Sequence, residues 1–249
     1  MQILDHGYCT FIESWGSEER IIEAARMSTA KGFLGWEVAC PDCDGDRTRA
    51  CGCPRCEGRG VIEGDSRLLS YLWTHQHHTP FEMAGLVVEV QAPLFVAREW
   101  MRHRTFSYNE MSGRYTQLPD LYYLPSVERL MAGKQGQKNK QGSGAGFSEK
   151  EAFDLRQEIV YATTQARQAY ERLLERGLSK ELSRVIIPVN QYTRFRASGN
   201  LRNWLHFLEL RMADDAQYEI RVYANAVAQF VEKTFPKTWI LFAKELHGK

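Results

Sequence analysis

Apolar positions along the chain recur with two different periods. From Ser17 to about Lys31, Ile21, Ile22, Ala25 and Met27 fall at helical spacing, which gives a helix an inward face. Ser17 supplies an N-cap, and Glu18 and Glu19 an acidic first turn, both favourable at a helix start. Ser66 to about Gln76 predicts a second helix. Pro80 is expected to stop it, because the residue before a proline avoids the α region. From Phe81 to Ala92 the period changes to two, with Leu86, Val88 and Val90 on one face of a strand. Pro93 then suits the first turn of a helix through Phe95, Val96 and Trp100.

In the second half, Ser148 with Glu151 three residues on makes a capping box for a long helix ending at Gly177. A shorter helix covers Lys180 to Ile186 and Pro188 ends it, while Val189 to Arg196 is β-like. Asn200 to Arg211 and Asp214 to about Glu232 are helical, and Pro236 opens a last amphipathic helix. Leu201, Trp204, Leu205 and Leu208 form a core stripe. Helices and strands mix without regular βαβ alternation, so the expected class is α+β, in a single domain over residues 1–249. Two stretches leave the pattern. Residues 35–64 are rich in Cys, Gly, Asp and Arg and poor in large aliphatics, as in an insertion that burial alone cannot fold. Residues 132–147 carry Gly, Gln, Lys and Asn, as in a flexible loop. Within it Gly142 to Gly146 resembles a nucleotide loop only faintly, since no strand precedes it.

Composition narrows the function. With 43% hydrophobic and 25% charged residues, the chain is ordinary for a globular protein. A net charge of +1 leaves no global field for DNA or a membrane, so any anion site must be local. The opening Met1 to His6 lacks the regions of a signal peptide, and no apolar run approaches a membrane span. A cytoplasmic protein without a membrane partner is expected.

The local anion site is legible in residues 102–115, Arg-His-Arg-Thr-Phe-Ser-Tyr-Asn-Glu-Met-Ser-Gly-Arg-Tyr. Arginine forks bind phosphate or carboxylate in bidentate fashion. A solvated basic loop would favour lysines, without the interleaved Phe106, Tyr108, Met111 and Tyr115. A second motif is His77-His78-Thr79-Pro80-Phe81-Glu82. A third joins Ser183-Arg184, Ile187-Pro188, Asn200-Leu201-Arg202 and His206 to Arg211. Taken alone, the histidines read as an exposed helix end, and Arg211 as a cation compensating a helix dipole.

Together with Ala25-Arg26-Met27-Ser28, these motifs resemble the flavin-dependent thymidylate synthases over most of the chain. The resemblance implies a central mixed or antiparallel sheet flanked by helices. It implies methylation of dUMP to dTMP, with methylenetetrahydrofolate as carbon donor and NADPH-reduced FAD as hydride source. Arg102, His103 and Arg104 would bind the flavin and reach toward the nucleotide, with Ser28, Thr79, Asn200 and His206 also at the flavin. Glu110, Met111, Ser112, Gly113, Arg114 and Arg184 would hold the nucleotide, with Arg102 and Glu99 close by. Arg211 would polarise the pyrimidine, and His77 would lie near flavin and nucleotide. A homotetramer with shared active sites follows from the same resemblance. Glu99 stands where many members have glutamine, Met83 where histidine is frequent, and Asp215 where some have histidine. A relative acting on UMP or dCMP stays open.

The resemblance does not cover residues 35–64. Cys40-Pro-Asp-Cys43 and Cys53-Pro-Arg-Cys56 form two Cys-x-x-Cys knuckles, suited to structural zinc through Cys40, Cys43, Cys53 and Cys56. Cys51 could replace Cys53. A rival reading is a zinc-knuckle nucleic-acid-binding protein using Arg47, Arg49, Arg55 and Arg59. Asp42, Asp44, Asp46 and Glu57 dilute that patch. Outside the insert only Cys9 remains, in no basic setting, which argues against a thiol nucleophile.

Overall fold

A computed structural model describes residues 1–50, 52–133 and 146–248. Cys51 and most of the expected flexible loop lie outside the described residues. A five-stranded sheet has the order β1 (Gln2–Ile3), β2 (Gly7–Trp15), β5 (Gly85–Pro93), β7 (Tyr192–Asn200), β6 (Ser107–Glu110). A separate antiparallel ribbon pairs β3 (Glu37–Ala39) with β4 (Val61–Glu63) inside the Cys-rich segment. The helices are α1 (Glu18–Arg26), α2 (Arg47–Ala50), α3 (Asp65–Thr74), α4 (Leu94–Trp100) and α5 (Val127–Met131). They continue with α6 (Glu149–Glu175), α7 (Lys180–Ser183), α8 (Leu201–Arg211), α9 (Tyr218–Thr234) and α10 (Pro236–Gly248). The mixed helix and antiparallel sheet expected from the sequence is what the chain forms. No helix among the described residues is long and apolar enough to cross a membrane.

Caps form where the sequence places them. The Ser17 side chain accepts from Arg20 N. Ser148 and Glu151 make both bonds of the capping box, and the long helix ends at Gly177, which adopts φ +83°. Other boundaries move. α3 stops at Thr74, well before Pro80, because the chain turns left-handed at Gln76 (φ +56°). Pro80 sits instead in a 3-10 turn, Thr79–Met83, so β5 begins at Gly85 rather than Phe81. The helix expected over Lys180 to Ile186 is one α turn followed by a 3-10 turn, Arg184–Ile186. β7 runs later than the β-like stretch suggested, up to Asn200, whose Oδ1 accepts from Asn203 N at the start of α8.

Two compact units partition the chain, each built from separate segments. The first comprises residues 1–11, 88–197 and 210–226. Its centre is the buried set Trp100, Tyr192, Phe195 and Tyr223, with the Trp100 ring edge-on to Phe195 at 5.5 Å. It also buries a charge network. Glu219 receives Arg129 through Nε at 2.7 Å and the Tyr123 hydroxyl at 3.0 Å. Burial pushes the Glu219 carboxyl up, but the Arg129 and Gln217 bonds outweigh it and hold the group below its ordinary value.

The second unit comprises residues 12–87, 198–209 and 227–249. Ile21, Ile22, Leu69, Phe81, Leu86, Trp204, Phe207 and Phe235 are its largest buried side chains. Trp204 Nε1 donates to the Leu86 carbonyl at 3.0 Å. The stripe of Leu201, Trp204, Leu205 and Leu208 is buried as its spacing requires.

Candidate active site

The arginine motif is shaped by the end of α4. Trp100 anchors the helix in the core, and Arg102 N and His103 N close the next turn on the Glu99 and Trp100 carbonyls. The Tyr108 hydroxyl lies 3.0 Å from the carbonyl oxygens of both Trp100 and His103, which fixes the loop between them. The motif is more ordered than a loop. Residues Ser107–Glu110 form the edge strand β6, and Met111 N bonds the Arg194 carbonyl at 2.8 Å. Glu110 accepts from the Thr193 hydroxyl at 2.6 Å.

Beyond β6 the chain turns at Ser112, whose Oγ accepts from Arg114 N at 3.2 Å. Gly113 is buried, and a Cβ there would lie 3.2 Å from both Arg184 Cδ and Leu118 Cδ2. A side chain there would crowd the Arg184 stem, which packs close against this turn. Arg114 Nε lies 3.2 Å from Glu181, both half exposed, and Lys180 Nζ donates to the Tyr115 carbonyl at 3.1 Å. Ser112, Gly113, Arg114 and Arg184 thus converge, joined by Lys180 and Glu181. Those last two were absent from the sequence-derived set. Their only signal was a position in the first turn after the Ser179 cap.

Arg211 closes α8 and meets the motif at His103. Its Nη1 donates to Glu99 Oε1 at 2.5 Å, and its Nε donates to His103 Nε2 at 3.0 Å. An accepting Nε2 requires a neutral imidazole with its proton on Nδ1. His103 is buried, whereas Arg102 and Arg104 on either side are exposed. The motif therefore alternates two outward cations with one inward imidazole. Burial pushes the Glu99 carboxyl above its ordinary value, and the Arg211 charge opposes that shift. Glu110, Arg114, Arg184, Arg211, Glu99 and His103 all belong to the first unit.

The second unit carries Ser28, His77, Thr79, Asn200 and His206. His77 is exposed, edge-on to Tyr71 at 5.7 Å, while His75 stacks on that ring at 4.0 Å. Thr79 opens the 3-10 turn and is exposed. Ser28 is exposed in the 3-10 turn Met27–Thr29, directly after α1. Asn200 spends its carbonyl oxygen on the α8 cap, which leaves its amide hydrogens for another acceptor. His206 lies 3.6 Å from the Glu209 carboxylate on an exposed face of α8.

The same unit brings four cysteines together. The Sγ atoms of Cys40, Cys43, Cys53 and Cys56 all lie within 4.8 Å of one another. Cys40 and Cys53 are 3.9 Å apart, Cys43 and Cys56 3.8 Å. Those separations are far beyond a disulfide bond. They match the edge of a tetrahedron whose metal–sulfur bonds are about 2.3 Å, which is about 3.8 Å. The donor set fits a metal ion.

Comparison with known proteins decides the family. The family model described as "Thymidylate synthase complementing protein" matches residues 10–237. The chain is 36% identical to a flavin-dependent thymidylate synthase of Thermus thermophilus over 244 residues, covering 98% of this chain and 78% of that one. This chain belongs to the flavin-dependent thymidylate synthases. The Wolbachia pipientis wMel flavin-dependent thymidylate synthase is 35% identical, over 98% and 76% of the two chains. Among solved structures, the UMP/dUMP methylase PolB from Streptomyces cacaoi bound with 5-Br dUMP superposes with a TM-score of 0.76. It shares 26% identity, over 98% of this chain and 97% of that one. Membership in the flavin-dependent thymidylate synthases makes this chain an enzyme of the methyltransferase class.

Proposed function

We propose that this enzyme methylates dUMP to dTMP, with methylenetetrahydrofolate as carbon donor, NADPH as reductant and FAD as the bound flavin. The observation that carries the reading is the convergence of Arg114, Arg184, Ser112 and Gly113, together with an Arg211 already oriented by Glu99 and His103. Arg114 and Arg184 bind the nucleotide phosphate, helped by the Ser112 hydroxyl, while Glu110 and Met111 on the same strand end line the rest of the nucleotide. Arg102 and Arg104, facing outward, reach flavin and nucleotide. Arg211 presents its remaining donors to a pyrimidine carbonyl and stabilises the electron-rich ring.

Cys9 supports a route without an enzyme thiolate. It is fully buried, and burial pushes its thiol up to about 12, so little thiolate forms at neutral pH. Bound FAD, once reduced by NADPH, would supply the hydride that completes the methyl group. The exposed hydroxyls of Ser28 and Thr79, the Asn200 amide and the imidazoles of His77 and His206 are a donor set suited to a flavin's polar edge and chain. One zinc ion held by Cys40, Cys43, Cys53 and Cys56 completes the cofactors. The functional assembly is a homotetramer with shared active sites in the cytoplasm. UMP is a second candidate substrate, favoured by the structural similarity to a methylase described as acting on UMP and dUMP.

The test is a visible absorption spectrum with added FAD, followed by a dUMP titration. A flavin band that shifts on dUMP addition supports the reading. Neither flavin binding nor a dUMP response would remove it. A larger shift with UMP than with dUMP would move the substrate to UMP.

A further inference from the structure

The Cys-rich insert ends on a buried carboxylate. Asp65, the first residue of α3, is 0% exposed. Its Oδ1 is ion-paired with Arg26 Nη2, and its Oδ2 accepts from Leu34 N at 2.7 Å. A hydrogen-bonded ladder joins this carboxylate to the thiol cluster. Asp65 N donates to the Gly35 carbonyl at 2.8 Å and Gly64 N to the Trp36 carbonyl at 3.0 Å. The ladder continues through Glu37↔Glu63, Val38↔Ile62 and Ala39↔Val61. Cys40 N, donating to the Gly60 carbonyl at 2.9 Å, carries it to the first thiol. The stem has a second anchor. Trp36 Nε1 donates to Glu19 on α1 at 3.0 Å, and Lys237 Nζ lies 4.8 Å from the Trp36 ring centre.

Such a ribbon is not stable by itself. Two three-residue strands bury too little, and an isolated hairpin is marginal at best. Among the described residues, only Cys53 and Ile62 pack as partly buried apolar groups around the buried Cys40, Cys43 and Cys56. A tetrahedral ion at the four thiols supplies the missing folding free energy. Arg26 is the last residue of α1 and leads directly into the Met27–Thr29 turn, where Ser28 lies.

We propose that the zinc-loaded insert is a clamp. Its stem holds Asp65, and Asp65 is a positioning residue that fixes Arg26 and the turn carrying Ser28. Metal occupancy then governs order at that turn, and with it flavin affinity. The inference rests on zinc being the ion of the four thiols and, for its last step, on Ser28 meeting the flavin.

The experiment is metal analysis with amide hydrogen exchange on the full-length protein, without flavin, before and after zinc is stripped with a chelator. The expected result is one zinc per chain. Exchange in residues 35–66 and also in 24–30 should rise at least about tenfold on stripping, while α6 stays unchanged. Cys43→Ser should reproduce the stripped pattern, and Cys43→His, offering three thiolates and an imidazole, should restore zinc and protection. Asp65→Asn should keep its zinc yet lose protection at 24–30 and bind FAD at least about tenfold more weakly. A wild-type protein without zinc would overturn the metal reading. Zinc present, with exchange at 24–30 indifferent to its removal, would overturn the clamp and leave the zinc site standing. The exchange measurements use no flavin, so a chain that binds no FAD would count against the enzyme reading alone.

Discussion

The Glu99 carboxylate accepts from Arg211 Nη1 at 2.5 Å, so the arginine assigned to the pyrimidine is already tied to an anion. That carboxylate replaces a neutral glutamine expected by resemblance. It orients Arg211, and it also offsets part of the charge that Arg211 offers a substrate. Burial raises the Glu99 pKa, and protonation on the acid side converts the pair into a weaker bond between a neutral acid and the guanidinium. The acid limb of the pH profile of kcat/KM should therefore lie above the ordinary carboxylate range. In Glu99→Gln it should disappear, because the carboxyl responsible is gone. An unchanged limb in that variant would assign the ionisation elsewhere.

Arg211→Ala should lose turnover by roughly 10²–10³-fold, as when one oriented donor is removed from a developing charge. Stopped-flow reduction and single-turnover kinetics separate this loss from binding. Near-normal turnover would take Arg211 out of the mechanism.

Arg114 shares its fork with Glu181 across a half-exposed pair that adds little to stability. Arg114→Ala should weaken dUMP binding on the order of 10- to 100-fold without a resolvable change in Tm. Glu181→Gln should tighten dUMP slightly, since the arginine then has no competing carboxylate. Calorimetric titration of both variants reads the two effects with opposite signs.

The Glu219 network is structural. Removing the carboxylate strands Arg129 and the Tyr123 hydroxyl in a mostly buried setting. Glu219→Ala should cost about 3 kcal/mol. Its native pKa is held low, so the folded state binds fewer protons than the unfolded state in the window just below the ordinary carboxylate value. The contribution is fully present above the unfolded value, roughly 4.3. It fades as pH falls through the lower native value. Acid unfolding of Glu219→Gln should lack this step.

Cys9 lies buried with its thiol pushed up to about 12. Cys9→Ala should keep turnover within about threefold, apart from a modest stability loss from the small cavity. A collapse of kcat with an intact fold would revive a thiol nucleophile.

Much of this was legible from local chemistry. The capping box at Ser148 and Glu151, the stop at Gly177 and the buried stripe through Trp204 follow from spacing alone, because each depends on neighbours within one or two helical turns. The four cysteines stand together, as the spacing of their two Cys-x-x-Cys knuckles leads one to expect. What was hidden depends on distant partners. Pro80 did not end α3, because a left-handed Gln76 acted first, and nothing in the sequence marks a non-glycine residue for that conformation. The pairing of Glu99 and His103 with Arg211 joins residues more than a hundred positions apart. Lys180 and Glu181 gained meaning only when the Gly113 turn came up against Arg184.

The ladder at the foot of the insert has a consequence for design and for evolution. Gly35 and Asp65 are hydrogen-bonded neighbours, as are Trp36 and Gly64. The residues they bracket form an exchangeable cassette, whose removal leaves two chain ends already side by side. A short glycine turn joining Trp36 to Gly64 could hold the same register without cysteine or metal. A chain of this architecture could thus gain or lose its four-cysteine cluster in one genetic step, so long as the replacement keeps Asp65 where Arg26 needs it.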